Sequence, residues 1–279
     1  MRADGKKVKN ADAMYLVAAH FMPKRVDSMN MTTIDIPVEP MRQYLNKKRK
    51  EGKRYSHLTL FVTAFLHTIA EYPGLNRFVV NKRTYARNEI AIGMVVLKNG
   101  SMDQHGAMDK MFFKADNSLD EVDEIINSYV NKNRDMEDEN STDKAVRVFL
   151  SIPGLVRIGV NFFRFLDRHN LMTKKFIDMS PFHATAVMTN LASIRTNEIY
   201  HHIYEFGTTS MALAMGNMRE VPVRKKGEIE FVRCIPMGIV MDERIASGSY
   251  FALAFHKFQS LLQNPELLEE IPEVKEDVV

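Results

Sequence analysis

The stretch 235–265 constrains the fold more than any other part of this 279-residue chain. An apolar run over 235–241 is followed at once by a charged triplet, Asp-Glu-Arg, at 242–244. Beyond Gly248, phenylalanine and leucine recur at steps of three and four residues, the spacing of one apolar helix face. Pro265 ends that pattern. The stretch therefore predicts a buried strand, a tight polar turn and a long amphipathic helix.

Hydrophobic periodicity along the rest of the chain predicts a mixture of helices and strands. Helices are predicted over 12–22, 41–52, 56–72 and 119–132 and, as a pair hinged at Pro153 and Gly154, over 146–171. Strands are predicted over 31–38, 77–80, 89–98, 109–114 (at a sheet edge), 184–191, 211–215 and 228–241. The polar run 133–144 is predicted to be an exposed loop. We therefore expect a mixed α+β fold in which helices pack on an open sheet.

Composition and charge narrow the classes of function. The formal net charge is only +3 and no basic stripe with interleaved aromatic residues is present, so we expect no nucleic-acid partner. The single cysteine, Cys234, excludes an internal disulfide framework and fits a reducing compartment. The N-terminus lacks the apolar core of a signal peptide, and arginines interrupt the most apolar stretch, 146–166. We therefore expect a cytoplasmic protein with no membrane partner.

In its C-terminal layout the chain resembles the coenzyme-A-dependent acyltransferases, the family of the 2-oxoacid dehydrogenase acyltransferase cores and chloramphenicol acetyltransferase. In that family the turn reads D-H-R-x-x-D-G or H-H-x-x-x-D-G, and the following helix ends near N-P or D-P. Asp242, Arg244, Gly248 and the pair 264–265 match this pattern. Glu243 departs from it, because it stands where the family has the histidine that takes a proton from the acceptor.

Three further segments carry the resemblance over most of the chain. The family has an early arginine before a strand, like Arg25, then a P-x-L-N turn, like 73–76, and a buried strand, like 90–97. A family strand that ends T-I-S-N-L-G is similar to 187–192. By position, the hydroxyl that donates to the oxyanion of the tetrahedral intermediate is that of Thr189.

The chain is also similar to a standalone bacterial subgroup with shared motifs S-P-F-H, T-N-L-x-S-I, I-Y-H-H-x-Y-E-F-G and D-E-R-I-x-x-G. The corresponding segments here are 180–183, 189–194, 199–207 and 242–248. The sequence shows no lipoyl domain, subunit-binding domain or Ala/Pro-rich linker, unlike the dehydrogenase acyltransferases.

The resemblance implies a chloramphenicol-acetyltransferase-like α+β fold, a mixed sheet sandwich with packed helices, formed by residues 1–279 as a single domain. Within it we expect an N-terminal helix or arm over 1–24, a helical insertion over 145–180 and a tail over 266–279. The resemblance further implies a homotrimer whose active-site channel lies between subunits. Coenzyme A would be the acyl donor, a small molecule the acceptor, and no metal is expected.

The turn itself leaves two interpretations of Glu243 open. A glutamate is a weak base for a thiol, because their ordinary pKa values are about 4.3 and about 8.5, and only burial makes it effective. Alternatively Glu243 is ion-paired, for example with Arg244, and takes no part in chemistry. Arg244 is expected to hold the turn by hydrogen-bonding its backbone. Ser247 replaces the family's second aspartate, which would leave Arg25 without that anion, and a helix N-cap role for Ser247 or Ser249 is favoured.

His202, beside His201, is a second candidate base, although a hydrogen-bonded structural pair is favoured for these two residues. A zinc site that adds His183 and Glu205 is disfavoured, because the spacing fits no ligand pattern. The basic, aromatic segment 149–166 could dock on a membrane surface, but a helix between subunits is favoured.

Two functions are consistent with the sequence. In the first, Glu243 or His202 removes the proton of a small thiol or hydroxyl acceptor, and Thr189 stabilises the oxyanion during acyl transfer from coenzyme A. In the second, the chain is a catalytically inactive relative that acts as an oligomeric scaffold or ligand-binding protein.

Overall fold

The structure of the chain, a computed structural model, describes residues 2–9, 11–97, 106–134 and 154–278. Its helices are α1 (Ala13–Phe21), α2 (Arg25–Ser28), α3 (Val38–Lys50), α4 (His57–Glu71), α5 (Leu119–Arg134), α6 (Leu155–Arg168), α7 (Lys174–Met179) and α8 (Gly248–Gln263). Its strands are β1 (Gly5–Lys7), β2 (Met29–Pro37), β3 (Arg77–Val80), β4 (Arg83–Arg87), β5 (Ile90–Leu97), β6 (Gly106–Phe113), β7 (Ala186–Asn190), β8 (Met211–Met215), β9 (Arg219–Lys225) and β10 (Glu228–Asp242). Short 3₁₀ helices lie at Pro73–Asn76, Leu191–Ile194 and Pro265–Glu269.

Seven strands form one mixed sheet in the order β2-β10-β8-β7-β5-β6, with β9 paired to the outer half of β10. Strand β7 runs parallel to both β5 and β8, and the other neighbouring pairs are antiparallel. The edge position predicted for the strand at 109–114 is confirmed, because β6 ends the sheet. The α+β class expected from the sequence is confirmed as well.

Helices cover one face of this sheet. Alternate residues of β10, from Ile235 to Met241, are buried in the same core as α3, α4 and α8. Helix α4 is the central one, with twelve of its fifteen residues buried, as its nearly continuous apolar sequence predicted. The predicted N-cap of α4 is also confirmed: Ser56 and Thr59 form a capping box at its start.

An extended segment, residues 196–204, crosses the opposite face of the sheet. A Cβ atom on Gly238 would lie only 2.3 Å from the carbonyl oxygen of Ile199, so the segment passes directly over the strand backbone. Ile203 of the same segment packs on Val240 in a small cluster separate from the main core. This face of the sheet therefore carries main chain in close contact with β10, while α7 packs at its β6 edge, where Lys110 Nζ donates to the Ile177 carbonyl (2.7 Å).

The outer half of β10 leaves the sheet with β9 as a two-stranded ribbon, residues 219–233. Most of its side chains are exposed, including Ile229 (70%) and Phe231 (69%). Strand β10 was predicted over 228–241, but β9 was not, because Pro222 sits inside it and its pattern is mostly charged.

A second, three-stranded sheet in the order β1-β4-β3 joins the N-terminal residues to the chain beyond the P-x-L-N turn. The C-terminal residues return along the body: the Lys275 amide donates to the Ala70 carbonyl (2.8 Å), and Arg77 Nε donates to Asp277 (2.7 Å). The division of a single domain into an arm, an insertion and a tail stays a prediction.

The predicted loop at 133–144 lies outside the described residues beyond its first two positions, and so does the first half of the predicted helical pair. The second half of that pair is α6, which begins after Gly154, a residue in the left-handed conformation. Among the described residues, no helix combines the length and the apolar character needed to cross a bilayer.

Candidate functional site

Asp242 and Arg244 bind each other within the turn that follows β10. Arg244 donates from Nε to Asp242 Oδ1 (2.8 Å) and from Nη2 to Oδ2 (2.6 Å), and both side chains are buried. Arg244 was expected to hold the turn through backbone oxygens, but its one such bond, to the Met22 carbonyl, is longer at 3.4 Å. The main anchor of Arg244 is therefore the carboxylate of Asp242, a partner that suits its planar fork of donors.

Arg25 is buried behind the same turn. Its guanidinium donates to three backbone carbonyl oxygens of segment 205–209 at 2.9 to 3.2 Å, and its Nε lies 4.0 Å from Asp242 Oδ2. Burial lowers the pKa of Arg25, and the charge of Asp242 opposes that effect. The expectation that Ser247 leaves Arg25 without an anion is wrong, because Asp242 supplies one from the other side of the turn.

Glu243 lies between the two members of the ion pair and is half-buried. Its amide donates to the Ser28 carbonyl (2.8 Å), which fixes the backbone of the turn against the start of β2. Its carboxylate makes no hydrogen bond or ion pair with any residue that the structure describes. The interpretation that Arg244 neutralises Glu243 is wrong, since that guanidinium is occupied by Asp242.

Ser247 and Gly248 form the junction between the turn and α8. The Ser247 hydroxyl accepts a hydrogen bond from the Tyr250 amide (3.2 Å), so the N-cap role favoured for this residue is confirmed. A Cβ atom on Gly248 would meet nothing within 4 Å, and the residue is exposed. Nothing within this chain therefore requires glycine at position 248.

Thr189 lies on β7 with its side chain on the face of the sheet that segment 196–204 crosses. Its cross-strand neighbour is Ala214, which in turn pairs with Gly238, the residue over which segment 196–204 passes. The hydroxyl oxygen of Thr189 is shielded from solvent and has no hydrogen-bond partner among the described residues. A buried hydroxyl without a partner is unfavourable, and such a donor is available to an incoming oxyanion.

Strand register sets the separation of Thr189 and Glu243 within one chain. Thr189 is level with Gly238, and Glu243 lies five residues further along the same strand direction. At the usual rise per residue this places the two about 17 Å apart along the strands, with two strand spacings, about 10 Å, between them. One reacting atom cannot contact both side chains of a single chain.

The histidine pair lies in segment 196–204, on the same face as Thr189. The rings of His201 and His202 stack with centroids 4.9 Å apart, and His201 Nδ1 lies 2.9 Å from the His202 carbonyl oxygen. Tyr204 packs edge-on against His202 at 4.7 Å, while His202 itself is exposed. The pair therefore has structural contacts, and the His202 ring remains reachable from solvent.

The other members of the disfavoured zinc set lie apart and are already engaged. His183 is 1% exposed and lies between Ser180 Oγ (2.7 Å from Nδ1) and Asp167 Oδ2 (3.4 Å from Nε2). Glu205 accepts a hydrogen bond from the Arg25 amide (2.8 Å). Within the described ranges, no three His, Cys, Asp or Glu side chains are grouped as metal ligands.

A cleft of about 650 Å³ lies between α4, the β4–β5 turn, β6 and the C-terminal tail. It is lined by Ile69, Asn76, Arg87, Glu89, Phe112, Lys114, Val274 and Asp277, among others. Neither Glu243, Thr189 nor His202 belongs to it. The cleft is therefore separate from the candidate catalytic residues of this chain.

Asp242 was not recognised from the sequence as the centre of this network of charged side chains. It binds Arg244, faces Arg25 and accepts a hydrogen bond from Ser28 Oγ (3.0 Å), while being fully buried. The Asp-x-Arg spacing in the triplet was the available signal, because residues two apart across a tight turn can pair. The contact with Arg25 spans the whole chain and left no sequence signal.

Comparison with models of known protein families gives a match in the C-terminal third of the chain. Residues 182–269 match the family model described as the catalytic domain of 2-oxoacid dehydrogenase acyltransferases. A sequence search of curated proteins gave no match. The matched range holds β7, β8, the ribbon, the turn and α8, and therefore includes Thr189 and Glu243.

Solved structures share the fold at low identity. A probable dihydrolipoamide acetyltransferase from Listeria monocytogenes 4b F2365 superposes with a TM-score of 0.57 at 13% identity, covering 98% of both chains. The dihydrolipoamide acetyltransferase of Azotobacter vinelandii gives 0.53 at 12%, covering 92% of this chain and 88% of that one. Chloramphenicol acetyltransferase gives 0.54 at 10%, covering 92% and 99%.

At such identities the structural matches establish the fold, and the family match adds a sequence signature over the C-terminal third. Together they confirm the resemblance drawn from the turn, the helix and the Thr189 strand. Residues 182–269 therefore carry the sequence signature of the 2-oxoacid dehydrogenase acyltransferase catalytic domain, and the chain has the fold shared by dihydrolipoamide and chloramphenicol acetyltransferases.

Proposed function

We propose that the chain transfers an acyl group from a coenzyme A thioester to a small thiol or hydroxyl acceptor, at a site shared by neighbouring subunits of a homotrimer. The observation that carries the proposal is the buried hydroxyl of Thr189, which has no partner among the described residues. The family resemblance supplies the donor, the acceptor class and the trimer. A cytoplasmic location fits the single, buried cysteine.

Thr189 is the proposed oxyanion donor. Attack on a thioester carbonyl makes a tetrahedral intermediate whose oxygen carries negative charge, and a fixed donor stabilises that oxygen more than it stabilises the substrate. The Azotobacter vinelandii enzyme has been studied for the role of a serine, a histidine and an asparagine in its mechanism. In this chain a hydroxyl and a carboxylate are the groups available for the first two roles.

Glu243 is the proposed proton acceptor: it takes the proton of the small acceptor at a site that the Thr189 of a neighbouring subunit completes. Within one chain the strand register keeps the two apart, so a shared site needs a second chain to bring them together. The carboxylate of Glu243 is not neutralised inside its own chain, because Asp242 occupies Arg244. An approaching subunit would exclude water from Glu243 and strengthen it as a base.

The ribbon supports the proposed trimer. A two-stranded ribbon is marginally stable by itself in water, yet residues 219–233 extend away from the sheet with Ile229 and Phe231 exposed. Exposed apolar side chains on a projecting element are typical of a contact with another chain. We propose that the ribbon packs on a neighbouring subunit.

His202 is the alternative base. It lies on the same face of the sheet as Thr189 and its ring is exposed, so it could reach an acceptor without help from a second chain. A base that acts within its own chain and one that acts across subunits give different results when mutant subunits are mixed. The experiment below separates them.

The first test is thiol release from acetyl-coenzyme A in the presence of small thiol and alcohol acceptors. Replacing Glu243 by Ala removes the proposed base, and general-base catalysis typically accounts for about 10²- to 10⁴-fold in rate. Glu266→Ala, another surface glutamate of the C-terminal region, is the matched control and should retain full activity. Equal rates for wild type and Glu243→Ala would remove Glu243 from the mechanism, and no thiol release with any acceptor would favour the inactive relative.

The second test mixes subunits that carry Glu243→Ala with subunits that carry Thr189→Val, after joint unfolding and refolding. Each parent is inactive by the proposal, but mixed trimers contain some sites with an intact Glu243 from one chain and an intact Thr189 from the next. Random mixing restores about a quarter of wild-type activity. No recovery, in mixtures that native mass spectrometry shows to be mixed trimers, would contradict the shared site.

A further inference from the structure

Helix α6 contacts the body along one narrow stripe and turns the rest of its surface outward. None of its residues is buried. Its half-buried residues fall on one side of the helix: Leu155, Gly159, Phe163, Leu166 and Asp167. A second apolar stripe lies beside the first and is more than half exposed; it consists of Ile158 (66%), Phe162 (55%) and Phe165 (54%), and we call it the outer strip.

The polar side of α6 carries cations. At 100° per residue, Arg157 and Arg164 project from the side that faces away from the body, next to the outer strip, whereas Arg168 at the end of the helix donates from Nε to Asn81 Oδ1 (3.1 Å). The one acidic residue of the helix, Asp167, is bound by Arg2 at 2.6 Å and so does not offset these charges at the surface. No other described helix separates its apolar and polar sides as sharply.

Helix α7 packs against the half-buried stripe of α6. The ring of Phe176 contacts that of Phe163 on α6, with centroids 6.1 Å apart. Phe176 (52%) and Met179 (61%) are exposed, and so is Lys175, the residue before Phe176. The outer strip itself is formed by α6.

Helix α6 is anchored to the rest of the chain at its C-terminal end. Arg2 donates from Nη1 to the Asp167 carbonyl oxygen (3.0 Å) in addition to its ion pair with the side chain. His183 faces the second oxygen of the same carboxylate at 3.4 Å. A helix held in this way presents the outer strip in a fixed orientation, without an ordering cost when it meets a partner.

We propose that the outer strip binds the surface of a bilayer that contains anionic phospholipid. A helix with a cationic polar side and phenylalanine on its apolar side is typical of helices that lie in the membrane interface. With the outer strip in the acyl region, Arg157 and Arg164 lie at headgroup level, where lipid phosphates neutralise them. The expectation from the sequence was that no membrane is bound, and the experiments below decide between the two.

Charge argues against a symmetric contact between two copies of α6. Such a contact would bring Arg157 and Arg164 of one helix near the same arginines of the other, and juxtaposed like charges are unfavourable. An anionic lipid surface provides the complementary charge and needs no shaped groove. A contact of α6 with a different face of another copy is an outcome that the experiments below detect.

The chain contains no tryptophan, so a single introduced one reports on its own surroundings. Phe162→Trp places the reporter in the outer strip, and Phe231→Trp places it on the ribbon at a comparable exposure. The full chain is mixed with vesicles of phosphatidylcholine alone or with phosphatidylglycerol added. We expect the emission of Phe162→Trp to shift to shorter wavelength only with the anionic vesicles, and that of Phe231→Trp to stay unchanged.

Co-sedimentation with the same vesicles tests the residues separately. Replacing Ile158, Phe162 and Phe165 together by Ser should weaken binding to anionic vesicles by at least about tenfold, and Arg157→Gln with Arg164→Gln should remove its salt dependence. Leu253→Ser with Ile271→Ser, which replaces two exposed apolar residues outside α6 and the ribbon, is the control and should bind as wild type does. All variants are first shown to unfold at the wild-type urea midpoint.

Failure of the wild-type chain to bind anionic vesicles overturns the proposal, and so does binding that the outer-strip variant leaves intact. A change in oligomeric state caused by the outer-strip substitutions, measured by light scattering without lipid, assigns the strip to a protein contact and also overturns it. Because these readouts need no acyl transfer, the inference stands or falls independently of the proposed reaction.

Discussion

Asp242 and Arg244, the two residues that flank Glu243, satisfy each other through two nearly parallel contacts of 2.8 and 2.6 Å in a buried turn. Their mutual pairing has a consequence for the residue between them. The glutamate that replaces the family histidine is held by a rigid backbone, while its carboxylate is left without a partner among the described residues. The turn thus fixes the backbone of Glu243 and leaves its carboxylate to face outward from the buried ion pair.

Breaking this pair should be severely destabilising. Replacing Asp242 by Asn leaves the buried Arg244 guanidinium and Arg25 without their shared anion, and such changes cost about 3–5 kcal/mol in the free energy of unfolding. Asp35→Asn breaks the exposed pair with Arg219 (2.8 Å) and should cost less than about 1 kcal/mol. Urea unfolding measures the free energy of unfolding of the two variants. Equal decreases in the two would contradict a larger contribution of the buried pair to stability.

Gly238 should not tolerate a side chain. Alanine there would place its Cβ 2.3 Å from the Ile199 carbonyl oxygen, which belongs to the backbone and cannot rotate away. We expect Gly238→Ala to lower the free energy of unfolding by about 1–3 kcal/mol. Gly248→Ala has open space and lies at the start of a helix, so it should be neutral or slightly stabilising. Thermal unfolding followed by circular dichroism checks both, and a neutral Gly238→Ala would mean that segment 196–204 does not lie on β10.

Thr189→Val should lower the rate of acyl transfer without lowering the stability of the fold. Valine has nearly the same shape but lacks the hydroxyl, so an unpartnered buried oxygen disappears and the unfolding midpoint should stay level or rise. The rate constant for acyl transfer should fall by about 10²- to 10³-fold, the usual effect of losing one oxyanion donor. Thr189→Ser keeps the hydroxyl and should keep most of the rate. A valine variant with full activity would show that this oxygen does not contact the reacting group.

His183 should make stability depend on pH below neutrality. Burial lowers its pKa below the ordinary value of 6.5, although Asp167 opposes this and Arg2 and Arg87 add to it. Below about pH 6.5 the unfolded chain binds a proton that the folded His183 resists, so the free energy of unfolding falls with acidification, by up to about 1.4 kcal/mol per pH unit for one site.

The variant that tests this is His183→Asn, whose amide can still contact Ser180. Urea unfolding between pH 7.5 and pH 5 should show a shallower decline for this variant than for wild type. A residual slope is expected from His67, whose pKa burial lowers to about 4. His201→Asn, in an exposed segment, is the control and should follow the wild-type curve. An unchanged slope in His183→Asn would show that this imidazole titrates normally in the folded state.

Much of the secondary structure could be read from the sequence because it rests on local rules. The Ser56 cap, the apolar face of α8 and the strand before the turn are set by spacing and by side chains close in sequence. Strand β9 was not found, because a charged ribbon with an internal proline lacks the alternation that marks a half-buried strand. Of the small sheet, β3 was predicted but β1 and β4 were missed, since strands of three and five residues are too short for a clear alternating pattern.

The candidate site, like the secondary structure, could be predicted from the sequence only in part. Thr189, Glu243 and Ser247 could be placed from motifs, because each follows a recognisable run of residues. The partners of the charged groups could not, since Arg25 meets Asp242 across more than two hundred residues of chain. Pairing of Arg244 with Glu243 or with Asp242 is equally compatible with the triplet, and only the direction of the backbone in the turn chooses between them.

The sequence alone therefore determined the order of helices and strands, the family and the substitution of glutamate for histidine, because these depend on residue identity and local periodicity. The tertiary structure decided which carboxylate is neutralised, which face of the sheet bears Thr189 and how far apart Thr189 and Glu243 lie in one chain. These are consequences of strand register and burial, which arise from contacts between residues remote in sequence and are fixed only when the sheet assembles.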